Sequence, residues 1–415
     1  MKPKSAGDGG RLAWALLVGS AVRLGGFVLF PGLAARCLGG RVELSTPATS
    51  YRRLAEGLHL AALGVSPYDG GQFHQSPLLL LLFWPLRFLP ALATDAVYVA
   101  ADALVALALA GIAAAAATPR PAVPGETRFV CAPATAALLY LLNPLAIATT
   151  LAKSTIVFSH LAVAGALYYG ARGRPRPAAV CAAAAAHLSL SPAMLVVPLA
   201  LMAGGPQRRF GPMAAAVATF AAAAGLLHVL FVAVYGPQYF AATVDFTLRV
   251  ADLQPNVGLF WYFFIEIFDE FRSFFIAVFQ LTALAFAVPV SWRFRHTPLF
   301  AATLLVGIIS ALKSYPAWGD LALFLGLLPA FADLVKYLQY TFLSANLLLY
   351  GIGLAPVFWH LWIDQGSGNA NFFYAATLVY VFGQIVLLFD LGSAMLRRDL
   401  DIDRPEAREH VVVQE

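Results

Sequence analysis

Charge is scarce in this chain: Asp, Glu, Lys and Arg make up 12% of its 415 residues, about half the share of a soluble domain. A water-solvated globule is therefore excluded for most of its length. Cysteine is nearly lacking, and Cys37, Cys131 and Cys181 stand apart without CxxC or CxxH spacing. That leaves no basis for a structural zinc site or a disulfide framework, and no cofactor is expected. No Asn-x-Ser/Thr sequon occurs, so glycosylation offers no marker of sidedness. Barrel-like alternation and internal repeats are missing too, which argues against a β-barrel and against transporters built from repeated halves.

What is present is hydrocarbon. Apolar residues make up 60% of the chain, in runs that reach the roughly 20 residues a helix needs to cross a bilayer. All-α is the only economical way to satisfy the backbone there. The expected fold is one polytopic transmembrane helical bundle over 1–415, with about twelve spans bounded by Pro, Gly and charge. They fall near 12–31, 95–117, 132–150, 154–171, 177–190, 192–204, 213–235, 272–291, 299–312, 320–336, 341–360 and 372–396. Several are short and invite tilt or breakage. The first, Leu12 to Phe30, is long for a signal peptide and contains Arg23, so an uncleaved span is expected.

The net charge of +5 is scattered singly between spans, which excludes a nucleic-acid footprint. With both termini cytoplasmic, most of the 27 Lys and Arg fall on the cytoplasmic side, and all seven Trp fall near span ends. This threading leaves two long non-cytoplasmic segments, 33–94 and 236–271, and a cytoplasmic tail, 397–415, whose mixed charge predicts disorder.

In the first segment Tyr51, Leu54, Leu58 and Ala61 share one side of an amphipathic helix expected to lie on the membrane. In the second, more than half of Phe260 to Phe271 is aromatic. There Phe260, Phe264, Phe268 and Phe271 line one helical face, opposite Glu266, Asp269 and Glu270. Such a face could make a wall for acyl chains; an aromatic belt or helix packing is the plain alternative. Near the last loop, Asp364, Gln365, Ser367, Asn369 and Asn371 lie among aromatic rings, which suits sugar hydroxyls or simply a polar turn. Asp102 lies well inside a span and requires a partner, for which Arg23 is the candidate. Cys37 with His59 or His74 is a weak nucleophile candidate, and Glu43 is an acidic candidate for a sugar transferase.

Ordered stretches along most of the chain resemble the phosphatidylinositol-glycan class U (PIG-U) family: GVSPYDGGQFHQSPL from Gly64, YLLNP and LAKST between Tyr140 and Thr155, DLQPNVGLFWYFFIEIF from Asp252, KSYPAWGDLAL from Lys313, and APVFWHLWIDQGSGNANFFYA from Ala355. The resemblance implies a non-catalytic subunit of the GPI transamidase in the endoplasmic-reticulum membrane, working with four partner subunits. One of these, resembling a cysteine protease, would carry the catalytic Cys and His. It also implies recognition of the GPI glycolipid or of the attachment signal. Carried onto this chain, that nominates Phe260, Trp261, Phe264 and Glu266, with Asn369 and Asn371 near the glycan. The scaffold is similar to that of multi-span glycosyltransferases using lipid-linked sugars, and a GPI mannosyltransferase is the alternative. Where those enzymes carry an acidic pair, this chain reads Val42-Glu43-Leu44.

Overall fold

A computed structural model describes residues 6–32, 37–117 and 128–406. All regular structure among them is helical, as a chain solvated by hydrocarbon requires. Among the described residues seven helices are long and apolar enough to cross a membrane: Gly9–Leu29, Ala91–Ala116, Phe210–Tyr235, Asp269–Arg293, Trp318–Tyr337, Thr341–Asp364 and Ala370–Asp403. Pro133–Leu141 and Pro144–Leu151 qualify only as a pair, bent by 56°. The bend has a local cause. Pro144 lacks a donor for the helix ladder, and the Asn143 side chain accepts from Leu145 N (2.9 Å), which starts a new helix there. Four shorter apolar helices, Pro77–Phe88, Ile156–Ala171, Ser191–Gly204 and Pro298–Leu312, fill in the bundle.

The centre is built from Pro298–Leu312 and Trp318–Tyr337, most of whose residues are buried inside the protein. Phe210–Tyr235 and Asp269–Arg293 lie at the periphery, with only 6% of their apolar windows buried. Thr341–Trp359 and Ala370–Asp403 pack closely because two glycines open the crossing. A Cβ on Gly351 would meet Tyr380 backbone at 2.8 Å, and one on Gly383 would meet Leu348 N at 3.0 Å.

Charges inside the bundle are paired. Arg23 and Asp102 form the expected ion pair, both wholly buried. Tyr140 Oη (2.6 Å) and Thr150 Oγ1 (3.0 Å) also donate to Asp102, and Arg23 donates to the Leu141 carbonyl (2.7 Å). Asp333 accepts from Arg128 (3.2 Å) and Arg398 (2.9 Å). Asp390 accepts from the backbone of Gln339 (2.9 Å) and Tyr340 (2.8 Å), securing the start of the next helix.

The structure corrects two local expectations and adds detail to a third. The helix at Tyr51–Ala62 exists, but Leu54, Gly57 and Leu58 are buried against the protein's own Tyr68, Phe73 and Phe83 rather than lying on lipid. The segment expected as a tail from 397 begins as a continuation of the helix Ala370–Asp403, in which Arg398 is buried. Its residues 407–415 lie outside the described ones, as do 1–5, 33–36 and 118–127. Finally, Phe260, Phe264, Phe268 and Phe271 do not share one face. The helix Phe260–Glu266 stops at Ile267 and a new one starts at Asp269. Phe260 and Phe264 turn inward, while Phe268 and Phe271 point out.

Candidate functional site

One end of the bundle gathers the longest irregular segments among the described residues, whose backbone groups need partners that no helix supplies. Thr155 N donates to Thr49 O (2.8 Å) and Thr155 Oγ1 to Gln75 Oε1 (3.0 Å). Gln75 Nε2 in turn donates to Ser50 O (2.6 Å), and Trp318 N donates to Glu43 O (2.8 Å). Gln280 Nε2 reaches Thr247 O, Leu248 O and Ser314 Oγ, each at 3.0 Å, and Arg272 holds Val250 O at 3.0 Å. Side chains from two peripheral turns of helix thus anchor the loop that precedes the aromatic block.

Two hollows open on this interlocked surface. The larger, about 340 Å³, is lined by Thr46, Ser50, Arg52, Arg53, Glu56 and Gln254 among others, and lies at the lower end of ligand-pocket sizes. The smaller, about 60 Å³, has room for a few waters and is lined by the hydroxyl-bearing residues Thr49, Thr155, Ser159, Thr243 and Thr247 with His74 and Lys313. Residues Thr46 to Ser50 separate the two, with Thr46, Pro47 and Ser50 facing one hollow and Ala48 and Thr49 the other.

Lys313 does not leave a free cation in the smaller hollow. Its Nζ lies 2.6 Å from Asp320 Oδ1, while Asp320 Oδ2 accepts from Ala317 N at 2.9 Å. His160 Nε2 lies 3.5 Å from the same carboxylate, and all three side chains are buried. The hollow therefore presents hydroxyl groups more than net charge. That is a lining for neutral polyols and their bound water.

Its rim is a stack of rings: His74 lies on Phe246 (3.6 Å, 8° between planes), and Phe246 on Tyr315 (5.1 Å, 10°). His74 Nδ1 donates to Ala242 O (2.9 Å), and Tyr315 Oη donates to Asp252 O (2.8 Å). Burial pushes the His74 pKa below its ordinary value, against the smaller upward pull of the Ala242 carbonyl. The neutral ring is thus the one that fits. As pH falls below about 6.5, the unfolded state takes up a proton that the folded state refuses, so stability declines with falling pH. Thermal midpoints measured from pH 7.5 to 5.5 should fall, and His74→Gln should flatten that dependence. An unchanged slope in the variant would assign the titration elsewhere.

The model of GPI transamidase subunit PIG-U matches residues 17–380. GPI-anchor transamidase component PIGU of Homo sapiens is 34% identical over 94% of each chain, as is that of Cricetulus griseus. GPI transamidase component GAB1 of Saccharomyces cerevisiae is 35% identical over 92% of this chain and 93% of its own. The chain belongs to the PIG-U family.

Within that family frame, the nominated residues fall into two groups. Phe260, Trp261 and Phe264 are buried in the protein's own core. Trp261 packs on Trp362 (6.3 Å), Phe373 (6.1 Å) and Tyr374 (5.8 Å), so the aromatic block and the last loop, distant in sequence, meet in space. Glu266, Asn369 and Asn371 are exposed. Asn369 caps the final helix by accepting from Asn371 N (3.1 Å), and Asn371 Oδ1 accepts from Tyr262 Oη. Glu43 is wholly buried and accepts two bonds from Arg41, at 3.0 and 2.6 Å. Both oxygens are engaged, and the relatives named above are transamidase components, so the mannosyltransferase alternative finds no support. Cys37 is an exposed free thiol, and His74, committed to Ala242 and Phe246, is not poised as its base.

Apart from His74, which was considered only as a partner for Cys37, sequence reasoning did not single out the residues that line the hollows as a site. Lys313 was readable as a turn marker, and Arg52, Arg53 and Glu56 as the polar face of a helix. Only the folding of distant loops onto one another makes them neighbours. The one usable signal was a Lys placed where an apolar span ends, since such a cation calls for a partner.

Proposed function

We propose that this chain is a non-catalytic subunit of a GPI transamidase in the endoplasmic-reticulum membrane, and that its loop-bearing end faces the lumen and receives the head of the GPI glycolipid. The observation that carries this reading is the pair of polar hollows in an apolar bundle of the PIG-U family. Arg52 and Arg53 suit a phosphate of the glycolipid head. The hydroxyl-lined hollow suits sugar hydroxyls through water. Glu266, Asn369 and Asn371 offer polar atoms at the edge of the aromatic block. Phe260, Trp261 and Phe264 hold that block in place, and acyl chains would run along the outward residues Ile265, Phe268 and Phe271. Catalysis belongs to a cysteine-protease-like partner among the four other subunits.

Replacing Arg52 and Arg53 together by Ala tests the assignment. Removing charge-assisted contacts of about 1.5–3 kcal/mol should lower anchor attachment at least tenfold in cells lacking the native chain. The partner subunits should still co-purify, because neither arginine is buried. Normal attachment with both side chains removed would remove the glycolipid from this cleft.

A further inference from the structure

Ile156–Ala171, Ser191–Gly204 and Pro298–Leu312 each have one end beside the hydroxyl-lined hollow, at Ile156, Ser191 and Lys313. Their other ends, at Ala171, Met202 and Leu299, meet at a different cavity. Some fifteen residues of helix separate the two by roughly 22 Å, so they open toward opposite faces of the membrane. This second cavity is the most capacious of those described so far, at about 520 Å³.

Its chemistry is cationic. Arg208, Arg295 and His296 line it, and none of the residues lining it is acidic. Two donors on residues of this lining are buried with no hydrogen-bond partner: Arg295 Nε and Thr297 Oγ1. The rest of the Arg295 guanidinium is held in place, with Nη1 donating to Trp292 O (3.2 Å) and the group lying 5.0 Å over the Trp292 ring. Arg208 meets no carboxylate here; its Nη2 lies 3.0 Å from His296 Nε2. Asp399, whose field reaches Arg293 and His296, is paired with Arg398 at 3.4 Å. Leu201, Leu299 and Phe300 supply an apolar side to the same cavity. Two arginines with no acidic residue in the lining, one of them with an unpartnered Nε, call for an anion with several acceptor oxygens, and the apolar side calls for hydrocarbon attached to it.

We propose that this cavity binds the phosphate-bearing headgroup of an anionic phospholipid from the leaflet opposite the glycolipid face. Basic pockets between spans on the cytoplasmic side are suited to such headgroups. Arg172, Arg174, Arg176, Arg209 and Arg293 cluster at the same end of the bundle, which gives that end the cytoplasmic bias. The site is separate from the glycolipid cleft and does not depend on it.

Binding can be measured on the purified, assembled complex after exchange into lipid-free detergent. The probes are a short-chain phosphatidylinositol phosphate, phosphatidylcholine of the same chain length, and inorganic phosphate. The inositol lipid should bind, with Arg295→Gln weakening it tenfold or more and phosphatidylcholine binding at least tenfold less tightly. Arg208→Gln, at a half-buried position, gives a second reading should Arg295→Gln assemble poorly, and it too should weaken binding severalfold. Inorganic phosphate competing as tightly as the lipid would replace the proposal with a free-anion site. Equal binding of both lipids, or affinity unchanged in both variants, would overturn it.

Discussion

Asp102→Ala should leave little folded protein. The change strands Arg23, which is wholly buried, among three helices with its main counter-charge gone. Breaking a buried ion pair on one side costs about 3–5 kcal/mol, because the remaining charge keeps its desolvation penalty and loses its compensation. Net stabilities of about 5–15 kcal/mol leave little margin for such a loss. The damage also spreads. Asp102 accepts from Tyr140 and Thr150 as well as Arg23, so one carboxylate joins Gly9–Leu29, Ala91–Ala116 and both arms of the bent pair. Removing both charges, as Arg23→Met with Asp102→Leu, should recover much of the loss, since the pair itself contributes little net energy. The readout is the monodisperse fraction in mild detergent together with its thermal midpoint. A single Asp102→Ala variant as stable as the parent would mean that water reaches this pair.

Trp261→Ala should be almost as costly, and for a different reason. Its ring is 1% exposed and contacts Tyr262, Trp362, Phe373 and Tyr374. Truncating a buried Trp leaves a large cavity and costs about 3–5 kcal/mol. Assembly of the complex should fall together with stability. Phe268→Ala makes the contrast. At 75% exposure its ring has little of the core to lose, so stability should change by no more than about 0.5 kcal/mol. If Phe268 meets acyl chains, anchor attachment should drop while assembly holds. The reverse pattern, with Trp261→Ala assembling normally and Phe268→Ala failing to assemble, would mean that the two residues exchange roles in the complex.

That the chain is helical and spans a membrane was legible in the sequence because hydrocarbon imposes one solution on the backbone; the number of spans was not, since about twelve were expected and only seven helices, or eight with the bent pair, are long and apolar enough among the described residues. The Arg23–Asp102 pair was legible for the same reason: a lone charge at that depth has no stable alternative to a partner. Orientation of the aromatic block was not. Helical spacing of 260, 264, 268 and 271 assumes one continuous helix, and the break at Ile267 rotates the second pair away from the first. Nothing in the residue types announces that break, since no Pro or Gly stands there. The Tyr51–Ala62 helix misled in a related way. An amphipathic pattern specifies an apolar face but not whether lipid or protein covers it. The hollows were least legible, because Thr49, His74, Thr155, Thr243 and Lys313 come together only through tertiary contacts between loops.

The most direct measurement is to irradiate a photoreactive GPI analogue, with its label on the head, in the assembled complex and to map the adducts by mass spectrometry. Adducts should concentrate on residues 39–56 and on the loop carrying Gln254, the segments that line the 340 Å³ cleft. They should diminish when Arg52 and Arg53 are replaced. Labelling confined to the partner subunits, with none on this chain under conditions where anchors are being attached, would contradict the placement of the glycolipid head here.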